Sequence, residues 1–307
     1  MKNHEKAGHL CALFTIVVWG TTFISTKLLL VDFAPVEILF FRFVMGLAAL
    51  YLIWPHRFTG TTKKQELTFA AAGLCGICLY YLMENIALTY TMASNVGVIV
   101  SIAPFFTALL GHLFLKEEGK LSASFIFGFV IAMIGIFLIS FNGAKLKLNP
   151  TGDLLSLLAA FIWACYSILT KKIGDYGYGT IQTTRSIFCY GILFMIPALF
   201  FFDFHLELGR FANPLYLFNI VFLGLGASAA CFVSWNFAVK VLGAVKTSVY
   251  IYAIPVITVV ASAVILHEKI TVMSGIGTLL IMTGLFFSER RTSPNHLEYA
   301  EKERMEE

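Results

Sequence analysis

Three ionisable residues, Arg42, Glu84 and Arg185, stand inside long apolar runs. A charge at the centre of a lipid-embedded helix costs at least about 2.5–3.5 kcal/mol, so each needs a partner or a task. On helices rising ~1.5 Å per residue, Arg42 lies about seven residues (~10 Å) below one surface, and Glu84 about six residues (~9 Å) below the same one. The two are expected at one depth and able to pair. Such a pair is either permanent glue between two helices or a gate that opens when a ligand or a proton competes for one partner. Arg185 finds no carboxylate at the matching place, and its expected neighbours are Trp235 and Asn236. It is a candidate for holding an anionic ligand group, with snorkelling or capping of helix-end carbonyls as the competing role.

Aromatic and amide side chains come next. Trp19 and Trp163 each sit about ten residues into an apolar segment, near the bilayer midplane at ~1.5 Å per residue. With Phe23, Tyr81, Asn85, Tyr166, Trp235, Asn236 and Tyr252 they are candidates to line an interior cavity for a partly apolar or cationic molecule. Plain helix packing is the competing reading. Pro104 and Pro255 lie within apolar segments, where each removes one backbone hydrogen bond and should free the carbonyl four residues earlier, at Val100 and Ile251. Paired breaks of this kind point to a midplane site, although a packing kink also accounts for them. Glu37, just after Pro35, should complement a helix dipole. Glu117 and Glu268 read as solvated helix-end charges. Gly128, Ala132, Gly135, Gly277 and Gly284 have the spacing of close helix contacts.

The elements that position these residues follow from composition. Of 307 residues, 58% are hydrophobic and 13% charged, whereas an average soluble domain has about 45–50% and about 25%. Most of the chain is expected in lipid. The net charge of +4 is not gathered into a basic face, which argues against nucleic acid as a partner. All six cysteines fall in apolar runs and read as small buried hydrophobes. The histidines have no surrounding cysteine or carboxylate cluster, and no phosphate-binding glycine loop is present, so neither a metal, a cofactor nor an enzyme is expected. Ten segments have the length to span a bilayer: 9–30, 35–54, 67–90, 94–115, 122–141, 152–172, 179–202, 215–238, 245–266 and 271–288. With the first residues placed in the cytoplasm, fifteen of the 22 basic residues fall on that side and five on the other. Both termini are therefore expected in the cytoplasm.

The chain also repeats itself. WGTTFISTK from Trp19 lies over WACYSILTK from Trp163 at an offset of 144, and ENIAL from Glu84 lies over WNFAV from Trp235 at an offset of 151. At the second offset Pro104 lies over Pro255 and Glu117 over Glu268. The expected fold is all-α and integral to the membrane, with ten transmembrane helices as two five-helix repeats. Residues 9–141 form the first repeat and 152–288 the second, with an N-terminal stretch 1–8, a linker 142–151 and a charged tail 289–307. Five is odd, so the second copy enters from the opposite side. Inverted repeats around a central site are a recurrent plan for carriers that expose one site to each side in turn.

Ten helices as five plus five, WG in the first, Arg42–Phe43 in the second, and the stretch from Asn85 through Pro104 to Glu117 together resemble the drug/metabolite transporter superfamily, specifically its EamA type. The likeness covers both halves, roughly residues 10 to 288. It implies a multi-pass carrier of the bacterial inner membrane, often an exporter of amino acids, metabolites or toxic compounds. It does not choose the substrate, and importers, exchangers and, on physical grounds, a passive channel stay open. Implied partners are a small-molecule substrate, the lipid bilayer and, as a candidate coupling ion, the proton. Monomer and homodimer are both compatible with it.

Overall fold

The computed structural model describes residues 2–56, 59–90, 93–115, 123–140, 149–202, 204–265 and 272–289. Its elements are α1 (Lys2–Leu29), α2 (Pro35–Ile53), α3 (Lys63–Tyr90), α4 (Ala93–Val100), α5 (Ala103–Phe114), α6 (Ala123–Ser140), α7 (Pro150–Gly174), α8 (Thr180–Phe201), α9 (Pro214–Leu242), α10 (Ala244–Ser248), α11 (Ile254–Ile265) and α12 (Val272–Glu289). No strand occurs among the described residues. Six helices are long and apolar enough to cross a membrane, α1, α2, α3, α7, α8 and α9, and four shorter apolar helices accompany them. Glu117, Glu268, residues 142–148 of the linker and the tail from 290 onward lie outside the described residues.

Local sequence sets the helix starts. Proline opens α2, α7 and α9, where its missing N–H costs nothing. Asn149 accepts from the N–H groups of Thr151 and Gly152, and Asn213 from that of Leu215. At α3, Thr62 and Gln65 cap reciprocally: the Thr62 hydroxyl accepts the Gln65 N–H and the Gln65 amide oxygen accepts the Thr62 N–H. Outward faces are apolar, as with Leu52 and Phe200, each 83% exposed, the arrangement expected where the solvent is lipid.

Both long helices α3 and α9 loosen into π-helix, over Leu74–Leu79 and Phe222–Ala230. At the repeat offset of 151, residues 74–79 fall on 225–230, so the two π stretches coincide. π turns are rare and gather at functional sites. The two proline positions also break the chain. A turn at Ser101 and Ile102 separates α4 from α5, with Pro104 in the first turn of α5, and a 3-10 stretch at Val249–Ala253 leads into α11, which holds Pro255.

The glycines spaced for close helix contact on α6 and α12 lie against each other. A Cβ built on Gly128 would lie 2.5 Å from the Gly284 carbonyl oxygen, and one on Gly284 the same distance from that of Gly128. Only glycine allows this approach.

Polar clamps tie the start of α2 and the start of α3 to other elements. At the α2 start Glu37 is 1% exposed and does more than complement a dipole. Its carboxylate accepts from the Ala34 N–H (2.7 Å), the His205 N–H (2.9 Å) and both terminal nitrogens of Arg210 (2.9 and 2.8 Å). Arg210 also donates to the carbonyls of Asp32 and His205 and stacks on the Phe33 ring at 4.3 Å. The Glu37 hydrogen bonds raise the Arg210 pKa, so this cation stays charged. At the α3 start, the Tyr178 hydroxyl donates to Gly60 and Gln65, Tyr190 to Glu66, and Lys240 to the Tyr178 carbonyl. Thr68 meets the Tyr176 hydroxyl at 3.0 Å.

Candidate functional site

Below its π stretch α3 presents Tyr80, Tyr81, Glu84 and Asn85, and below its own α9 presents Phe232, Trp235 and Asn236. Spacings of three and four place each set on one helix face. These faces meet α1, α2, α7 and α8 in an aromatic core. Trp19 lies 5.1 Å from Trp163 and 5.2 Å from Trp235, ring centroid to centroid. Trp163 in turn lies 4.7 Å from Tyr80 and 5.0 Å from Tyr166. Phe232 is the hub, within 6.1 Å of Trp19, Phe43, Tyr81, Trp163, Tyr166 and Phe188. Sequence reasoning missed it. The signal was there, since Phe232 is the offset-151 counterpart of Tyr81.

Beside this core lies a cavity of about 20 Å³, room for about one water. Trp19, Phe23, Tyr80, Tyr81, Glu84 and Trp163 line it together with Thr22, Val100, Ile251 and Ile254. Val100 and Ile251 are the residues four before the two prolines, and both line this cavity. The expectation of a free carbonyl fails at Ile251, whose oxygen accepts the Ile254 N–H within the 3-10 stretch. That tighter turn satisfies the acceptor the proline leaves.

Arg42 is 2% exposed and Glu84 6%, and among the described residues they form no ion pair. This corrects the expected contact. The Arg42 Nε donates to the Ser228 hydroxyl at 3.0 Å, and the guanidinium lies 4.4 Å above the Tyr81 ring and 5.2 Å from that of Phe43. Its Nη2 and the Glu84 Oε2 are both buried without a hydrogen-bond partner. Equal depth leaves the direction around each helix undetermined, and Tyr81 with Ser228 takes the guanidinium instead. Arg42 and Glu84 still act on each other through space.

Arg185 likewise departs from its expected neighbours. Its terminal nitrogens donate to the carbonyls of Trp54 (2.6 Å) and His56 (2.8 Å) past the end of α2, and its guanidinium lies 4.5 Å from the Tyr51 ring. It caps a helix end, the competing role, and borders a separate pocket with Tyr51, His56, Glu66 and Tyr190. Asn236 instead accepts from the Tyr166 hydroxyl (2.8 Å) and donates to Thr184 (3.0 Å). Its counterpart Asn85 donates to the Pro35 carbonyl at 3.2 Å. Both amides serve to bind α3 or α9 to a neighbouring helix. Tyr252 points away from the cavity, into a second apolar cluster with Ala108, Phe125, Ala132, Ile136, Val249 and Ile281. Ile251 and Ile254 take the place expected for it.

Comparison with known proteins places the chain. The model of the EamA-like transporter family matches residues 6–141 and again 150–289. A protein of Archaeoglobus fulgidus named an uncharacterized transporter is 26% identical over 292 residues, 91% of this chain and 96% of that one. An Escherichia coli K12 protein named "Probable amino-acid metabolite efflux pump" is 25% identical over 291 residues, 90% and 93% of the two chains. A solved crystal structure at 18% identity has a TM-score of 0.73, covers 93% of this chain and 98% of that one, and shows the fold alone. Matched over nearly its whole length, with apolar helices long enough to span a bilayer, the chain belongs to the EamA-like transporter family of membrane transporters.

Proposed function

We propose that the protein is a secondary active transporter that exports a small metabolite, an amino acid or a drug-like compound by alternating access, in exchange for protons. Its ten transmembrane helices form two inverted five-helix repeats, residues 9–141 and 152–288, in a bacterial inner membrane with both termini cytoplasmic. The observation that carries this reading is the meeting of equivalent positions on one cavity: Trp19 packs against Trp163, and Val100 and Ile251 both line it. A unit used in both orientations supplies two similar conformations around that cavity. The coincident π stretches give each half a yielding segment next to the site. The clamp of Glu37 and Arg210 closes one mouth, and the contacts of Tyr178, Glu66 and Tyr190 close the other.

Export takes its support from the Escherichia coli relative's name. Proton exchange rests on Glu84, which lines the cavity with an unpartnered oxygen and whose counterpart in the second half is Trp235. The symmetry is broken at this titratable position. Arg42 from α2, Tyr80 and Tyr81 from α3 itself act on Glu84 electrostatically, and Cys231 of α9 interacts with both Arg42 and Tyr81. A movement that changes the distance from Arg42 changes how readily Glu84 takes a proton. In liposomes, the protein should catalyse saturable counterflow, and a pH gradient should drive accumulation that Glu84→Gln abolishes. Accumulation at the wild-type rate in that variant would remove Glu84 from the coupling, and substrate passage without exchange would make the protein a channel.

A further inference from the structure

The central cavity is chemically one-sided. Its lining contains one carboxylate, Glu84, and no arginine, lysine or histidine. The carboxylate is 6% exposed and its Oε2 has no hydrogen-bond partner, a costly state for a buried charged group. Arg42 is not part of the lining, and its guanidinium is held by Ser228 and the face of Tyr81. An anionic ligand group entering here would meet a like charge.

Around Glu84 stand four rings, Trp19, Tyr80, Tyr81 and Trp163, packed with centroid separations of 4.7–5.1 Å between Tyr80 and Trp163, Tyr80 and Tyr81, and Trp19 and Trp163. Ring faces attract a cation within about 6 Å of their centroids. Thr22 and Val100 also line the space. The Thr22 hydroxyl spends its proton on the Trp19 carbonyl at 2.8 Å, which leaves its oxygen to accept. The Val100 carbonyl receives no N–H from Pro104, four residues on. An –NH₃⁺ group carries three donors and no acceptor. The cavity of about 20 Å³ is the size of one water and so of one such headgroup.

We infer that Glu84, Thr22 and the Trp19–Tyr80–Tyr81–Trp163 cage form a subsite for the protonated amino group of the transported molecule. The inference rests on the transporter reading and names the chemical class it handles. The rest of such a molecule needs the rings to part, which a ligand that prefers the opened form brings about by shifting the population. Free amines and zwitterions both carry the group. For a zwitterion, the unpartnered N–H of Trp163, which lines the cavity, and the orphaned Nη2 of Arg42, outside that lining, are donors open to a carboxylate.

The test uses the full chain in detergent with three indole probes: tryptamine, tryptophan and indole-3-propionate. At least one ammonium-bearing probe should raise the melting temperature, and indole-3-propionate should not. E84Q should weaken that probe's binding by about ten- to a hundredfold, the worth of a hydrogen bond to a charged group. Stabilisation by tryptamine assigns the subsite to free amines, and by tryptophan alone to zwitterions. Equal stabilisation by indole-3-propionate, no response to either ammonium probe, or unchanged binding in E84Q would overturn the inference. The wild-type comparison stands without the variant should E84Q fold poorly, and Tyr80→Leu, which removes one ring, should also weaken the preference. Counterflow of indole-3-propionate in liposomes would leave the transporter reading intact while this inference fell. Binding of the amines with no counterflow of any probe would count against transport and not against the subsite.

Discussion

The indole of Trp19 donates its N–H to the Ala227 carbonyl at 2.9 Å, while that of Trp163, its repeat counterpart 5.1 Å away, has no partner. Two equivalent residues in edge-to-face contact thus differ in one bond. A structural pair would gain by satisfying both donors, and a buried donor left open beside a cavity is an unused binding group.

The asymmetry predicts unequal costs. Trp19→Phe removes a made hydrogen bond, and Trp163→Phe removes an orphaned donor, so the first should be the less stable by about 1 kcal/mol. Denaturation of both variants in mixed micelles measures the difference. Equal stability would mean that the Trp19 bond contributes nothing.

Arg210→Ala should destabilise the protein by about 3 kcal/mol, the lower end for a broken buried pair, because the Arg210 side chain is 17% exposed while Glu37 is 1% exposed. Combining it with Glu37→Gln should recover part of the loss, since no bare carboxylate then remains. A double-mutant cycle in melting temperature reads the coupling, and additive losses would show that the clamp is not a unit.

Arg185→Ala is expected to lower stability by about 2 kcal/mol through loss of two charge-assisted bonds to the Trp54 and His56 carbonyls. The transport KM should stay unchanged, because Arg185 borders a pocket other than the central cavity. A raised KM with normal melting temperature would return Arg185 to substrate binding.

Gly76 should tolerate nothing larger, since a Cβ there would lie 2.2 Å from the Tyr166 ring. Gly275, with nothing within 4 Å, serves as the control. Gly76→Ala should reduce folded yield in size-exclusion profiles, and Gly275→Ala should match or slightly exceed the parent, as alanine favours helix by about 1 kcal/mol.

Periodicity and the internal repeat made much of this legible. Trp19 and Trp163 were placed together by their matching positions, and the chain breaks near Pro104 and Pro255 follow from proline chemistry. What failed depended on rotation about helix axes. Depth put Arg42 beside Glu84, but the direction each side chain faces is set by packing, and Tyr81 and Ser228 claimed the guanidinium. Tyr252 is an aromatic deep in its apolar segment, which gives depth and not direction, and within the 3-10 stretch it packs into the cluster with Phe125 and Ile281. The partner of Glu37 was hidden because Arg210 is 173 residues distant and lies in a connection with no periodic signal.

The central claim is that the Glu37–Arg210 contact and the Gln65–Tyr178 contact open in turn around the Trp19–Trp163 cavity. In a cysteine-free background, Ala34→Cys with His205→Cys spans the Glu37 contact, and Gln65→Cys with Tyr178→Cys spans the other. Each pair is bridged by a short, cleavable bifunctional maleimide, and counterflow is measured in liposomes before and after cleavage. Alternating access predicts that either bridge alone stops counterflow and that cleavage restores it. Counterflow at the unbridged rate with either contact locked would contradict the account.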